Sequence, residues 1–440
     1  MNHKLTKNWL LCAAATLWAL PGCGVGEPPY SGQAAAGSAG TATSPATVDC
    51  SGPLTIDRAV RLALVHNPGL AASAAKREAA AGRAAQAGLW QNPDLEVSVE
   101  DMPTNSPGLS RSKNMMGVSQ TVPFPGKTGL DKQIGAAGVQ AGAAGWRLHQ
   151  AAVAKEVKIG FYRVQAAEQS AQVAADLVTL AESSAAAAKK RVDAGDTALQ
   201  EQVRAEILLE QAKTGLTEAQ RQVTEARQAL VLLLGVPAMR NAALAGSPDG
   251  RGTPAALNRS PDTWLSAHPA MVTARAKCRY AEATARRAEI NHLPDPKFGV
   301  AGGRDQAADE SLVEFRLSLP LPLFDRSKGR IQEAKAGVAE ATAELAATEQ
   351  QLVADWQSAV ARYHAAAAQV TAHRERMLPK SEEALRLVQT GFEEGKFGFI
   401  DLLDTERMTA EVRLAYQKKL FELNSARAEL ESFTNPVPAP

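Results

Sequence analysis

Asp401 and Asp404 stand three residues apart in the run Ile400-Asp401-Leu402-Leu403-Asp404. On a helix, that spacing puts both carboxylates on one face. Repeated around an axis by copies of the chain, each position becomes a ring of acids, which selects for cations and narrows a passage. The same pair is equally compatible with an ordinary solvated helix face. Constellations for catalysis are missing: there is no His-Glu-x-x-His, no phosphate-binding loop and no Gly-x-Ser-x-Gly turn. The seven His are scattered, and His149, His364 and His373 read as helix-surface or packing residues. The eight Met form no ligand relay, and Met115-Met116 falls in a candidate strand. No cofactor and no metal site is called for, and an enzyme is the least supported class.

Composition narrows the field. The 440 residues carry 48 Lys and Arg against 47 Asp and Glu, a net charge of +1. That balance speaks against nucleic-acid binding. A 22% charged content excludes wholesale disorder. Hydrophobic residues reach 45% while aromatics are only 5%. Much of the apolar content is Ala, which points to long, closely packed helices. Four Cys do not make a disulfide scaffold, although Cys50 and Cys278 are free to pair in an oxidising compartment.

The N-terminus carries an address. Lys4 and Lys7 precede a short apolar run from Leu10 to Leu20. Residues 1–22 therefore read as a secretory signal rather than a membrane span. The run ends in Leu20-Pro21-Gly22-Cys23, which resembles a lipobox, with Pro21 departing from the usual small or aliphatic residue. The resemblance implies acylation of Cys23 and, with Gly24 rather than Asp next, sorting to the outer membrane. One acyl chain anchors weakly, so a second membrane element is expected. Residues 23–52, rich in Pro, Gly, Ser and Ala, read as a flexible tether.

The remainder is duplicated. Leu64 and Asn67-Pro68 recur as Leu265 and His268-Pro269, about 201 positions later. Asn92-Pro93 answers Asp295-Pro296, Gly195 answers Gly395, and Ala226-Arg227 answers Ala426-Arg427. The two repeats occupy residues 53–235 and 262–434, with a linker at 236–261 and a tail at 435–440. Each holds a helix, two short alternating runs, a long helix, a Gly break and a returning helix.

The alternating runs are candidate strands. Leu95, Val97 and Val99 alternate with Glu96, Ser98 and Glu100; Val313, Phe315, Leu317 and Leu319 alternate with Glu314, Arg316 and Ser318. A period of two puts apolar side chains on one face and charges on the other. Met116 to Val122 and Phe298 to Val300 are weaker cases. Polar connections are expected at Met102 to Lys113 and Gly302 to Glu310. Two readings stand: soluble hairpins packed on helices, or strands of a membrane barrel with Glu96, Glu100, Glu314 and Arg316 toward water. Four strands cannot close a barrel, so a membrane role requires copies to assemble.

From Lys127 to Val192 there is no Pro, enough for roughly 100 Å of helix. The second-repeat counterpart, from Arg326 to about Glu394, contains Pro379, which either kinks it or is absorbed in an irregular turn. The returning helices are expected at Ala198 to Leu234 and Phe399 to Phe433.

Asn67-Pro68, Pro93, Ser119 to Lys127, Leu317 to Asp325, Gly395 and Ile400 to Asp404, taken in order with the duplication, resemble the TolC-type outer-membrane efflux factors. The resemblance covers essentially everything after the tether. It implies a mainly α fold with a small transmembrane β part. Long antiparallel coiled-coil hairpins would form a periplasmic α-barrel, and four strands per protomer would enter a trimeric 12-stranded outer-membrane β-barrel. It implies outer-membrane lipid as surroundings, and as partners a periplasmic adaptor and an inner-membrane resistance-nodulation-division type pump. The chain would be a passive exit duct. The strand-to-helix segments look most like the heavy-metal branch, cobalt-zinc-cadmium or copper-silver; a multidrug duct and a periplasmic adaptor are the alternatives. In this family Asp401 and Asp404 take the place of the periplasmic gate. Their first-repeat equivalents are Glu201 or Gln202 and Arg204 or Ala205, so the gate would be asymmetric. The tips at Gly195, Asp196, Gly395 and Lys396 are candidate adaptor contacts.

Overall fold

The computed structural model describes residues 52–102, 109–195, 197–246 and 252–434. The expected signal, Cys23, nearly all of the tether, Cys50, Asp196 and the tail lie outside the described residues.

The first repeat begins with α1 (Ile56–His66) and α2 (Pro68–Gln86), joined at Asn67. Asn67 is the capping residue of α2: its side-chain oxygen accepts from Leu70 N at 3.2 Å, and its amide donates to Leu233 O at 2.8 Å. Pro68 then fills the first helical position, where no N–H is needed. Next come β1 (Asp94–Glu100), β2 (Lys113–Thr121), α3 (Lys127–Asp193) and α4 (Leu199–Leu234). After the short α5 (Pro261–Trp264), the second repeat runs α6 (Pro269–Glu289), β3 (Lys297–Asp305), β4 (Glu310–Ser318), α7 (Lys328–Ala372), α8 (Leu378–Glu393) and α9 (Phe399–Thr434). His268 takes the part of Asn67, its Nδ1 accepting from Ala270 N at 3.2 Å. Burial beside Trp264 and Phe433, reinforced by the charge of Lys155, drops its pKa to about 4. The ring is therefore neutral at physiological pH and keeps its acceptor.

The four strands form one antiparallel sheet in the order β1-β2-β3-β4. Each repeat contributes a hairpin, and β2 pairs with β3 to join them, Thr121 opposite Lys297 and Lys113 opposite Asp305. The polar connection expected from Gly302 to Glu310 is shorter than that, because β3 continues to Asp305. Gly302 and Gly303 read as turn residues but sit in the ladder. A Cβ on Gly303 would lie 2.0 Å from Asn114 O, so glycine there allows close strand approach rather than a turn. The true turn is set by Asp305, whose carboxylate accepts from Ala307 N and Ala308 N at 2.9 and 3.1 Å.

Helix α3 has 67 residues, about 100 Å at 1.5 Å each. It turns back into α4 at Gly195, and α8 turns into α9 at Gly395; both glycines have positive φ, 82° and 75°. Between α7 and α8, His373–Met377 winds as a π turn just ahead of Pro379. The wider turn absorbs the proline, which lacks an N–H and would crowd the preceding turn of a regular helix. Helix α7 starts at Lys328, two residues later than Arg326, because Ser327 takes a left-handed φ of 55° and its N–H donates to Asp325 at 2.7 Å. Ala359, Ala366, Ala426 and Leu430 are buried between α7 and α9, and the three alanines let the helices pack closely.

The inter-repeat connection is more ordered than its Gly and Pro content suggests. Leu244 bridges Leu54. Gln165 donates to Gly246 O at 2.9 Å, and Arg227 donates to Arg240 O and Ala242 O at 3.1 Å. Side chains of α3 and α4 thus hold the connection down.

Sheet and helices meet at a part-buried ion pair. Lys127 is 4% exposed, and its Nζ donates to Asp295 Oδ1 at 2.8 Å and Leu293 O at 2.6 Å. Phe124 N also donates to Asp295 Oδ1, at 2.6 Å. This ties the strap after β2 to the foot of β3 in the other repeat. Asp295→Ala leaves the Lys127 ammonium buried without its counter-charge. The expected cost is about 2 kcal/mol, between the values for exposed and fully buried pairs. It should appear as a lower midpoint of thermal unfolding in detergent, with Asp295→Asn less affected; an unchanged midpoint for the alanine would remove this role.

Candidate functional site: a two-faced sheet and paired helical tips

The sheet has two unlike faces. On one, Leu95, Val118, Val300 and Phe315 form a row across all four strands, with Val97, Met116 and Val313 beside it. All of these are exposed in the single chain, Phe315 by 83%. On the other face the middle strands carry small residues, Gly117, Ser119, Gly299 and Ala301, while charges come from the edges and strand ends. A Cβ on Gly117 would meet Ala301 Cβ at 2.6 Å. The low centre lets long side chains from β1 and β4 meet above it.

There the structure brings together all four residues expected on the charged face. Arg316 contacts Glu96 at 3.2 Å, Glu314 at 3.0 Å and Glu100 at 3.7 Å. Lys297 bridges Asp94 and Glu96, each at 3.1 Å, and Ser119 Oγ donates to Glu96 at 2.6 Å. Lys113 lies 3.8 Å from Glu100 and 3.9 Å from Glu314. Lys113 and Lys297 escape a strand-by-strand reading, because each begins its strand and joins the network only across the pleat. A contiguous exposed apolar face backed by a charged one is the pattern of a strand between lipid and water. Among the described residues, no helix is long and apolar enough to cross a membrane.

At the far end, the two helical hairpins pack tip to tip. Ala188 and Ala205 from one, and Phe392, Phe399 and Leu402 from the other, form a small core. The Arg191 guanidinium lies 4.8 Å from the Phe392 ring centre. Gly195 and Gly395 make the reversals, and the exposed Lys396 pairs with Glu394 at 2.5 Å. Asp401 and Asp404 are both exposed on the first turns of α9. Asp401 also accepts from Gly398 N at 3.0 Å and so caps the helix start. Of the first-repeat equivalents, Ala205 is buried in the tip core, whereas Arg204 is exposed.

One titratable group here has no signal in the sequence. Glu406, 8% exposed, accepts from Ser184 Oγ at 2.7 Å and so links α9 to α3. Lys190, Arg191 and Glu394 line the same cleft of about 770 Å³. Burial raises the Glu406 pKa above the ordinary carboxylate range, and the Ser184 bond only partly offsets this. Among the described residues, no group of three or more His, Cys, Asp or Glu is placed to hold a metal ion. Cys278 is a free thiol whose Sγ donates to Ala341 O at 3.1 Å.

The sequence pattern of the outer membrane efflux protein family matches residues 59–236 and 261–435. The chain belongs to that family. The cobalt-zinc-cadmium resistance protein CzcC of Cupriavidus metallidurans is 27% identical over 376 residues, covering 84% of this chain and 87% of that protein. The nickel and cobalt resistance protein CnrC of the same organism is 32% identical over 132 residues, 30% of this chain and 32% of the relative. Among solved structures, CusC superposes with a TM-score of 0.73 at 17% identity, covering 86% of this chain and 91% of CusC. A Pseudomonas aeruginosa membrane protein gives 0.72 at 20%, over 86% and 89%. The fold is thus that of outer-membrane efflux channels, mostly helical with one small antiparallel sheet. The protein is an efflux channel of this kind, in a family of channels rather than of enzymes.

The raised pKa of Glu406 gives the tips a pH dependence. Its folded value lies above its unfolded one, so its contribution is full below the ordinary Glu pKa and is lost as pH rises through the folded value. Hydrogen exchange in the last turns of α3 and the first turns of α9 should therefore be slower in mildly acidic than in mildly alkaline buffer, after correction for intrinsic rates. Glu406→Gln keeps an acceptor for Ser184 and should abolish the difference. A pH dependence that survives the substitution would point to another group.

Proposed function

We propose that three copies close their sheets into one twelve-stranded barrel in the outer membrane. This barrel and the helical tube below it form the passive exit duct of a tripartite efflux system. The supporting observation is the two-faced sheet with open outer edges on β1 and β4. In lipid, each unpaired backbone group costs several kcal/mol, so the edges must find partners. Two copies would give eight strands, a barrel that side chains fill; three leave a lumen. Glu96, Glu100, Glu314 and Arg316 then line that lumen. Residues 1–22 act as the export signal, Cys23 carries the acyl anchor, and the segment after it is the tether.

The helical hairpins reach into the periplasm. Gly195, Asp196, Gly395 and Lys396 at their tips meet a periplasmic adaptor, which connects to an inner-membrane pump of the resistance-nodulation-division type. Asp401 and Asp404 form the acidic entrance rings, which favour cations. The names of CzcC and CnrC support heavy-metal cations as cargo. A deletion strain should become sensitive to divalent metals while keeping its tolerance of hydrophobic drugs and detergents. Drug sensitivity with unchanged metal tolerance would make the protein a multidrug duct instead.

The gate has its own test. Asp401→Ala also removes the cap of α9, at about 1 kcal/mol. Asp401→Asn combined with Asp404→Ala removes the charges and keeps an acceptor at the cap. In planar bilayers this double variant should conduct more and prefer cations less. Unchanged conductance and selectivity would return both residues to an ordinary helix face.

A further inference from the structure

Two straps lead from sheet to helix, one in each repeat, and the second carries four residues that the first lacks. In the first repeat, Val122-Pro123-Phe124-Pro125 passes directly to Gly126, left-handed at φ 95°, and to Lys127. In the second, Leu319-Pro320-Leu321-Pro322 is followed by Leu323-Phe324-Asp325-Arg326 before the left-handed Ser327 and Lys328. The first strap is taken up by internal contacts: Phe124 is half-buried, and Lys127 is held by Asp295. The added residues of the second have no such use. Phe324 is 101% exposed, and Leu323, Arg326 and Lys328 are exposed as well.

The insert is a shaped turn. Leu323 N donates to Leu321 O at 2.9 Å, which pinches the chain into a γ-turn. Asp325 then accepts from Ser327 N at 2.7 Å through Oδ1 and pairs with Arg330 at 2.7 Å through Oδ2. Phe324 stands between these two constraints. Its neighbours continue the apolar face of the sheet: Val313, Phe315 and Leu317 alternate on β4, and Leu319, Leu321 and Leu323 keep the alternation past the end of the ladder at Ser318, all of them exposed. Charge begins immediately beyond. Among the described residues, Arg326 and Lys328 have no acidic partner, whereas Arg330 is paired with Asp325 and Lys335 with Glu289.

We propose that this insert is an interfacial lipid anchor. Leu323 and Phe324 enter the acyl boundary of the periplasmic leaflet, and Arg326 and Lys328 hold the phosphate of an anionic phospholipid beside them. The anchor rests on the reading of the sheet as part of a membrane barrel whose helices lie in the periplasm. On that reading, the end of β4 is where hydrocarbon gives way to headgroups. The residues follow the same gradient: apolar on the ladder, aromatic just past its end, cationic after that.

Continuity and charge identify the occupant. The apolar surface runs unbroken from the sheet face to Leu323, so the medium that surrounds Phe315 also reaches the insert. A fully exposed aromatic ring is unfavourable in water and favourable at the depth of the membrane interface. The two unpaired cations beside it call for anions, and basic residues next to a membrane surface draw anionic lipid toward them. Phosphatidylglycerol carries a net negative charge at that depth. Phosphatidylethanolamine balances its phosphate with its own ammonium and has none to offer. Each copy in the ring brings one such insert.

Depth-dependent quenching tests this in the full chain, with Cys50→Ser and Cys278→Ser as background. A nitrobenzoxadiazole label is placed on Phe324→Cys or, as a depth reference, on Phe315→Cys, and the protein is reconstituted in phosphatidylcholine vesicles. The label at 324 should be quenched more strongly by a nitroxide near the lipid headgroup than by one deep in the acyl chain, and the label at 315 more strongly by the deep one. The shallow nitroxide carried on phosphatidylglycerol should quench the 324 label several-fold more than the same nitroxide on phosphatidylcholine at equal mole fraction. Arg326→Gln combined with Lys328→Gln should abolish that preference, and salt should weaken it. A label at 324 that no lipid quencher reaches, while 315 is quenched, overturns the anchor and leaves the barrel; blue-shifted emission without quenching would place Phe324 against another copy. Quenching at 324 with no preference for phosphatidylglycerol overturns the phosphate contact. No quenching at either position overturns the anchor and the barrel reading together.

Discussion

Lipid offers no hydrogen-bond partner to a peptide group, and a sheet of four strands has two edges of unpaired N–H and C=O groups. Most of what is particular about this chain follows from that. The exposed row Leu95, Val118, Val300 and Phe315 is costly in water and favourable in lipid. The opposite face keeps charge in the membrane plane by pairing it, with Arg316 among three carboxylates and Lys297 between two. Such a sheet is half of a design. In the proposed channel its second half is another copy of itself.

The helices serve a different purpose, which is reach. Ala-rich stretches in α3 and α7 allow close packing on several sides without large side chains, so one chain can build a long, thin structure. The two parts need a rigid transition, since strand and helix differ in rise and hydrogen bonding. Prolines end each ladder, and Lys127 with Asp295 ties the first transition to the other repeat. At the far end the core is small, and Glu406 sits inside it. A marginal core with a buried acid suits a region that opens, because local opening free energies are lowest where few apolar contacts are buried.

The sequence carries the strands well because one face is wet and the other is not, so the period of two survives in Glu96, Val97, Glu314 and Phe315. It carries the repeats because equivalent caps recur, Asn67-Pro68 and His268-Pro269. Gly302-Gly303 misleads, since glycine marks close strand approach as readily as a turn. Pro379 leaves its outcome open, because a kink and a π turn share the same local pattern. Asp401 is visible as an acid, but its capping bond to Gly398 depends on backbone geometry at the turn. Glu406, Lys113 and Lys297 acquire their roles only from residues far away in the chain. No local pattern encodes that.

In the proposed channel the functional unit is a closed ring of copies. Native mass spectrometry of the protein released from outer membranes in mild detergent tests it most directly. A dominant species with the mass of three chains is the predicted result. A single chain or a pair as the largest stable species would rule out the ring, because neither provides a lumen lined by a closed sheet.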